Sequence, residues 1–258
     1  MKELNKRTFH IISIGTWMAL LFLWWFVTNT GMIESKLVPS PQETWGTFID
    51  ILQNGYNGTT LLGQLSISFY RMFMALFYAV LSAIPLGLLS GYFLPFQAVV
   101  DSVVQFYRPL PPLAYYTLLI LWLGIDETSK ISLLFLAAFA PIYVACVSAV
   151  SRVKKDYILS GKSLGANNRQ IFFSIIFPAC LPQIFTGIRT AVGVAYTTLI
   201  AAEMVAATSG IGWMVIDASR YLKSDVMFVG IIIMGITGVL LDLILKKIES
   251  IVVFWEGK

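Results

Sequence analysis

The sequence has little charge. Charged residues make up 12% of its 258 residues and apolar residues 57%, whereas a soluble domain carries about 25% charged residues. Such a low share of charge leaves too few polar side chains to cover a soluble surface. The composition therefore excludes an ordinary soluble domain and favours a protein that lies in a lipid bilayer.

Histidine and cysteine are almost absent, and so are the common catalytic motifs. The one histidine is His10, and the two cysteines, Cys146 and Cys180, both lie in apolar runs. These are too few ligands for a metal centre or a disulfide framework. No Gly-x-x-x-x-Gly-Lys-Ser/Thr loop is present to cradle a phosphate. We therefore expect a chain that is not an enzyme, binds no cofactor or metal and does not itself hydrolyse ATP.

The sequence is instead rich in long apolar runs. A membrane-spanning helix needs about 20 apolar residues. The first run follows a basic start but has no cleavage site, so it indicates a retained span rather than a signal peptide. Three prolines at the entrance of the third run predict a stiff, bent entry. The sequence thus predicts an all-α integral-membrane fold with six spans, at residues 11–28, 69–91, 110–124, 131–150, 184–206 and 226–245.

Basic residues predict the orientation, because cytoplasmic connections are enriched in lysine and arginine. The connections on one side hold Lys2, Lys6, Arg7, Arg108, Arg152, Lys154, Lys155, Lys162, Arg169, Lys246, Lys247 and Lys258, and those on the other hold Lys36, Lys130, Arg220 and Lys223. Both termini are therefore expected to be cytoplasmic. The outward-facing stretch 29–64 would carry an interfacial helix at 43–52.

The chain divides by pattern into three parts. Residues 1–60 hold the first span and the external segment. Residues 61–245 form the main transmembrane domain, with a cytoplasmic connection at 151–183, and residues 246–258 form a cytoplasmic tail.

The connection contains a polar stretch, "SLGANNRQIFFSIIFP", at residues 163–178. A helix over 156–164 would end at Gly165, which adopts a left-handed conformation without strain. Asn167 or Asn168 offers an N-cap for a second helix over 169–177, which Pro178 would end. The result would be a rigid protruding element, suited to a groove on another protein.

This stretch resembles a loop shared by the membrane subunits of ABC-type importers. The family pattern is Glu-Ala-Ala, three residues, Gly, nine residues and Ile-x-Leu-Pro. Gly165 is followed by nine residues and then by Ile-Ile-Phe-Pro at 175–178, whereas Leu-Ser-Gly at 159–161 replaces Glu-Ala-Ala. Residues 107–131, residues 188–212 and the stretch "LVPSPQETW" are similar to the sulfonate, nitrate and taurine branch, and within it most resemble the taurine permeases.

The resemblance implies a type I ABC importer-like permease subunit in a bacterial inner membrane, importing taurine or a related sulfonate. Its partners would be a second copy of the permease, two cytoplasmic ATP-binding subunits that use ATP and Mg, and an external substrate-binding protein. The helix that couples to the ATPase would comprise Leu159, Ser160, Gly161, Lys162, Ser163, Leu164, Gly165 and Ala166.

Other functions stay open from the sequence. Within the class, the cargo could be nitrate, bicarbonate or an organic solute such as a thiamin precursor. In a different class, the chain could be a stand-alone ion-coupled secondary transporter. The absence of an inverted repeat and of a buried carboxylate relay argues against this second class.

Ionisable residues inside predicted spans are costly and tend to be functional. Arg71 and Arg189 lie near span ends, where we expect their side chains to reach the interface. Asp242 is expected to pair with Lys246 at i,i+4. Glu203 has two interpretations, a structural hydrogen-bonding role or a gate on the translocation pathway.

Small residues surround Glu203 in the fifth span. Gly187 and Gly193 would permit close helix packing, or they would face a central pathway. Thr197 and Thr198 have the same two interpretations, and with Glu203 they are the candidate pathway or gate residues.

Overall fold

The computed structural model describes residues 6–255, and Lys2, Lys258 and the His10 side chain lie outside the described part. Apart from one isolated bridge between Tyr56 and Thr59, its regular secondary structure is helical. The helices are α1 (Lys6–Asn29), α2 (Pro41–Asn54), α3 (Leu61–Tyr92), α4 (Leu94–Tyr107), α5 (Pro112–Leu123), α6 (Glu127–Ser151), α7 (Lys155–Ser163), α8 (Asn168–Ile171), α9 (Phe177–Ala206), α10 (Ile211–Arg220) and α11 (Ser224–Val252), with a π-helical segment, Phe172–Ile176, between α8 and α9.

Within residues 6–255, five helical segments are long and apolar enough to cross a membrane: Ile11–Asn29, Leu61–Tyr92, Glu127–Ser151, Asn168–Ala206 and Ser224–Val252. They coincide with five of the six predicted spans. The exception is the third run, where α5 has only 12 residues. At about 1.5 Å per residue this helix is too short for a hydrocarbon core about 30 Å thick.

The missing crossing is made by α4 and α5 in series. At the end of α3, Gly87 faces Cys146 and Gly91 faces Val150, so α3 and α6 finish at the same end of the bundle. Helix α4 starts there, one residue after α3, and α5 stops three residues before α6 begins. Together α4 and α5 therefore run the full length of α6. Arg108, expected in a cytoplasmic connection, lies inside this crossing instead.

Prolines explain the break between α4 and α5. Proline has no N–H donor, and its ring clashes with the carbonyl group four residues earlier. Pro109, Pro111 and Pro112 follow Tyr107 almost directly, so a continuous helix cannot form here. The sequence predicts that these prolines bend the start of a span. In the structure they interrupt a span at its middle.

The described residues form two compact units. The residues up to Gln64 with Met214–Met234 form the first, and Leu65–Trp213 with the residues from Gly235 onward form the second. In the first unit, the Trp24 indole donates to the Pro39 carbonyl over 3.0 Å and stacks on Phe228 at 5.8 Å. Helix α2 replaces the predicted 43–52 helix with slightly longer bounds, because Ser40 and Glu43 form a reciprocal capping box.

Small residues build the core of the second unit. Ala75, Ala79 and Ala83 of α3 are fully buried, as are Ala138 of α6 and Ala191 of α9. Small side chains let membrane helices approach closely. The interpretation of Gly187 as a packing residue is confirmed, because an added Cβ would collide with the Cβ of Ala145 on α6. Around Gly193 there is open space.

The predicted turn in the polar connection is confirmed. Helix α7 ends at Ser163, and Gly165 adopts φ +81°. The Gly165 N–H donates to the Lys162 carbonyl over 2.9 Å, and the Ala166 N–H donates to the Gly161 carbonyl over 3.0 Å. Asn167 caps α8 with a capping box completed by Gln170. The helix–glycine–helix arrangement is therefore a closed, hydrogen-bonded turn.

The prediction that Pro178 ends the second helix is wrong. The chain stays helical from Asn168 to Ala206. Just before Pro178 it widens into the π segment, where the Phe177 N–H donates to the Phe172 carbonyl. A π-turn shifts the carbonyl groups that a proline ring would otherwise meet. The proline is thereby accommodated inside one long helical run.

The packing of Gly187 leads to a stability prediction. Replacing Gly187 by alanine should lower the free energy of unfolding by about 1–3 kcal/mol, because the new methyl group overpacks the contact with Ala145. The measurement is the midpoint of thermal unfolding of the purified protein in detergent.

Gly193→Ala is the matched control on the same helix. Its methyl group meets open space, so stability should stay the same or rise by up to about 1 kcal/mol. Equal midpoints for the two variants would contradict the close α6–α9 packing.

Candidate functional site

A buried ionic network joins three helices in the second unit. Arg71 of α3 and Glu203 of α9 are each only 1% exposed. The Arg71 Nη1 atom lies 2.7 Å from Glu203 Oε1. On its other side the guanidinium makes two hydrogen bonds to Glu127 of α6, at 2.5 and 2.7 Å. This paired, forked geometry is the strongest that arginine forms with carboxylates.

The loop after α9 completes the network. Arg71 Nη1 also donates to the Ser209 carbonyl over 2.8 Å. The Ser68 hydroxyl donates to Glu203 Oε1 over 2.7 Å and accepts from the Ile211 N–H over 3.1 Å. The Gly212 N–H donates to Glu203 Oε2 over 2.9 Å. Each Glu203 oxygen is therefore satisfied, as a buried carboxylate requires.

The charges within this group balance. Lys130 is 4% exposed, and its Nζ donates to the Ile125 carbonyl over 2.8 Å and lies 3.6 Å from Glu127. Two cations thus face two carboxylates. The expectation that Arg71 reaches the interface is wrong: its charge is neutralised inside the protein.

Two glycines make room for the Glu203 carboxylate. An added Cβ at Gly210 would collide with the carboxylate atoms, and one at Gly212 would lie 2.6 Å from the Ile200 carbonyl oxygen. Gly210 also adopts φ +113°, a conformation that other residues rarely reach. The glycines after Glu203 are therefore part of the site.

The three candidate pathway residues lie on different faces of α9. Thr198 and Glu203 are buried. Thr197 is exposed, and its hydroxyl donates to the Val194 carbonyl over 3.0 Å. Glu203 thus makes hydrogen bonds of the kind that a structural role requires. A gating role for the three residues stays a prediction.

A second ionic group lies nearer the other end of α9. The expected i,i+4 pair is confirmed, with Lys246 Nζ 2.7 Å from Asp242 Oδ2. Arg189 joins it through contacts of 3.0 Å to Asp242 and 3.3 Å to Glu249. Arg189 is therefore paired across helices rather than extended alone to the interface.

The predicted coupling residues form an exposed tip. Leu164 is 88% exposed and Leu159 is 59% exposed, beside the half-exposed Tyr157. Gly161 behaves differently: it is buried, and an added Cβ would lie 2.7 Å from Ile175 Cδ1. Because Gly161 has no side chain, the loop can pack closely around it, whereas the two leucines point outward and expose apolar surface. Of the other coupling residues, Ser160, Lys162, Ser163 and Gly165 are exposed and Ala166 is half-buried.

The first unit carries a separate polar cluster. Asp217 accepts hydrogen bonds from the Tyr56 hydroxyl over 3.0 Å and from the Asn57 amide over 2.7 Å. Burial and the Asp217 carboxylate raise the pKa of the Tyr56 phenol. Lys223 lies 5.6 Å from the Tyr56 ring centroid. Among the described residues no cluster could hold a metal ion.

Sequence reasoning missed Glu127, Ser68 and Asp217. Glu127 stands in a short polar turn, and Ser68 stands in an apolar run. The signal that could have linked them is the pair of opposite charges, Arg71 and Glu203, inside predicted spans.

Comparisons with known proteins give a consistent result. Residues 83–252 match the family model described as "Binding-protein-dependent transport system inner membrane component". The chain is 39% identical to the taurine transport system permease protein TauC of Escherichia coli (strain K12), over 96% of this chain and 90% of TauC. It is 31% identical to the nitrate import permease protein NrtB of Synechocystis sp. (strain ATCC 27184 / PCC 6803 / Kazusa), over 96% and 91% of the two chains.

A solved structure shows the same fold. It is the inward-facing MetNI methionine ABC transporter, with a TM-score of 0.65 at 17% identity, covering 74% of this chain and 95% of that chain. The family model spans α6 and α9, which carry Glu127 and Glu203 of the ionic network.

The network itself can be tested. Glu203→Gln keeps the shape of the side chain but leaves Arg71 with one carboxylate fewer in a buried site. The free energy of unfolding should fall by about 3 kcal/mol, because removing one charged partner leaves a buried charge less well compensated. The measurement is chemical or thermal unfolding of the purified protein.

Ser68→Ala is the matched control. It removes one hydroxyl hydrogen bond from the same carboxylate without changing the charge of the site, and should lower stability by about 2 kcal/mol. An equal effect of the two variants would show that the ion pair adds nothing.

Proposed function

Because this chain belongs to the family of binding-protein-dependent transport system inner membrane components, we propose that it forms the pathway of an importer for taurine or a related sulfonate. The observation that carries this proposal is the 39% identity to the taurine permease TauC, which extends over 96% of the chain. An alignment of 248 residues includes loops as well as spans.

The chain would work with three kinds of partner. An external substrate-binding protein would deliver the cargo, and two cytoplasmic ATP-binding subunits would bind ATP and Mg. A second copy of the permease would complete the pathway. This division of labour fits the sequence, which has no phosphate-binding loop of its own. In this arrangement both termini and the 151–183 connection are cytoplasmic.

The exposed tip supports the coupling role. Leu159 and Leu164 project apolar surface into solvent from a rigid, capped turn. An exposed apolar group at a fixed position is typical of an interaction site. We assign the contact with the ATPase to these two side chains and to the polar residues between them. Gly161 supports the turn from inside.

The pathway residues divide by burial. Thr197 is exposed on α9 and would line the pathway beside the second copy. Thr198 and Glu203 are buried and would hold the wall of the pathway in place.

Nitrate is the second candidate cargo, supported by the 31% identity to NrtB. Nitrate and sulfonates share an oxyanion group, so one pathway chemistry suits both. The amino group of taurine distinguishes them.

Uptake by the reconstituted complex tests the function. With its ATP-binding subunits and its binding protein in proteoliposomes, the protein should accumulate labelled taurine only when ATP is supplied inside. Excess alkanesulfonate or nitrate, added as competitor, reports the cargo class. Uptake by the chain alone, driven by an ion gradient, would contradict the importer assignment.

The coupling tip has its own prediction. Leu164→Asp places a charge on the apolar tip and should reduce co-purification of the ATP-binding subunit by about tenfold, through loss of apolar contact and desolvation of the carboxylate. The measurement is the amount of ATPase retained on the tagged permease.

Leu222→Asp is the control, because Leu222 is 84% exposed in a connection of the first unit. It should retain the ATPase at the normal level. Normal retention of the ATPase by the Leu164 variant would contradict the assigned role of the tip.

A further inference from the structure

The break between α4 and α5 lies at the middle of the bundle. A cavity of about 240 Å³ beside the break is lined by Tyr107 and Arg108 on one side and by Ala137 and Pro141 of α6 on another. Ala137 is ten residues from the start of α6, and Pro141 is ten residues from its end. The cavity therefore sits at mid-height of a helix long enough to cross the bilayer.

Arg108 brings an unbalanced charge to this position. No carboxylate of the described residues lies within 4 Å of its guanidinium. The nearest acid on its own helix, Asp101, instead accepts from the Tyr143 hydroxyl over 2.7 Å and from the Gln97 amide over 3.1 Å. Arg108 is exposed to the space around the break, and an ionisable residue within a membrane crossing is by default a functional position. Arg71 shows how the same chain neutralises an arginine that is only structural.

A hydroxyl group at the break lacks a partner. The Tyr107 hydroxyl is buried and has no hydrogen-bond partner among the described residues. Pro141 has no N–H to donate to the carbonyl of Ala137, four residues earlier in α6, so the usual helical bond is missing there. The structure thus places a cation and an unpaired hydroxyl donor beside one small cavity. Native proteins rarely leave such groups unused.

A second cavity, of about 720 Å³, adjoins the first, because Arg108 lines both. Asp101 lies on its wall, seven residues before Arg108, or about 10 Å along the helix. The cation therefore lies where the two cavities meet, with the Tyr107 hydroxyl beside the first cavity and the Asp101 carboxylate on the wall of the second. That arrangement suits a small zwitterion.

We propose that the α4–α5 break is a binding site for the cargo inside the membrane. The Arg108 guanidinium and the Tyr107 hydroxyl donate hydrogen bonds to the sulfonate oxygens, and Asp101 accepts from the ammonium group. This inference rests on the proposed function and deepens it, because it assigns the cargo's two charged groups to named side chains.

The test uses the full complex in proteoliposomes, with the binding protein saturated by labelled taurine. Arg108→Gln should lower ATP-driven uptake about tenfold or more, since a charge-assisted hydrogen bond contributes at least that factor. Arg108→Lys should keep part of the activity. Co-purification of the ATPase should stay normal in both variants, which shows that the complex assembles, and the exposed control Arg220→Gln should keep normal uptake.

Asp101→Asn separates a binding role from a structural one, because a structural defect would lower the uptake of every substrate. It should lower uptake of taurine but leave uptake of ethanesulfonate, which has no amino group, unchanged. An equal loss of both substrates would overturn the assignment of Asp101.

Tyr107→Phe tests the site independently, in case the arginine variants fail to fold. It removes only the buried hydroxyl and should lower uptake about fivefold. If Arg108→Gln fails to assemble, normal uptake by Tyr107→Phe would overturn the site. Normal uptake by an assembled Arg108→Gln complex would overturn it while leaving the importer function intact. A wild-type complex that imports neither taurine nor ethanesulfonate would overturn the proposed function and the site with it.

Discussion

A charge inside a bilayer must be balanced within the protein, because no water is there to solvate it. Arg71 meets this requirement at 1% exposure by binding Glu127 and Glu203 together. Its partners come from α6 and α9, so one guanidinium holds three helices at one end. The loop after α9 is fixed by the same group, through Ser209 and Gly212. The network thus adds a polar connection to the apolar core that α3, α6 and α9 share.

The same requirement separates the two arginines of the second unit that matter for function. Arg71 has its full set of acceptors and therefore behaves as a structural element. Arg108 has none among the described acids, although Asp101 is near it on the same helix. Where a structural arginine is neutralised so completely, an unneutralised one requires water or a ligand. This contrast, rather than the charge of Arg108 alone, distinguishes a binding position from a buried ion pair.

The sequence was sufficient for features that depend on local composition. Five spans followed from apolar runs, and the turn after α7 followed from Gly165 and Asn167, whose preferences act within a few residues. Features that join distant parts of the chain were not accessible. Arg71 and Glu203 are 132 positions apart, and nothing local indicates that they meet. The α4 half of the third crossing was missed for another reason: polar residues such as Asp101 lower the hydropathy of α4 below that of a span.

Continuity of one helix links the coupling tip to the ionic network. Helix α7 packs against the π segment, and Gly161 is buried there beneath Ile175. From Asn168 the chain then stays helical to Ala206, which carries it past Glu203. The π segment and Pro182, which lies inside α9, are the two positions where this run can bend. The cavity beside the broken crossing is also lined by Thr190 and Val194, in the middle of the run. Under the proposed function, a movement of the tip is therefore transmitted past this cavity before it reaches the network at Arg71.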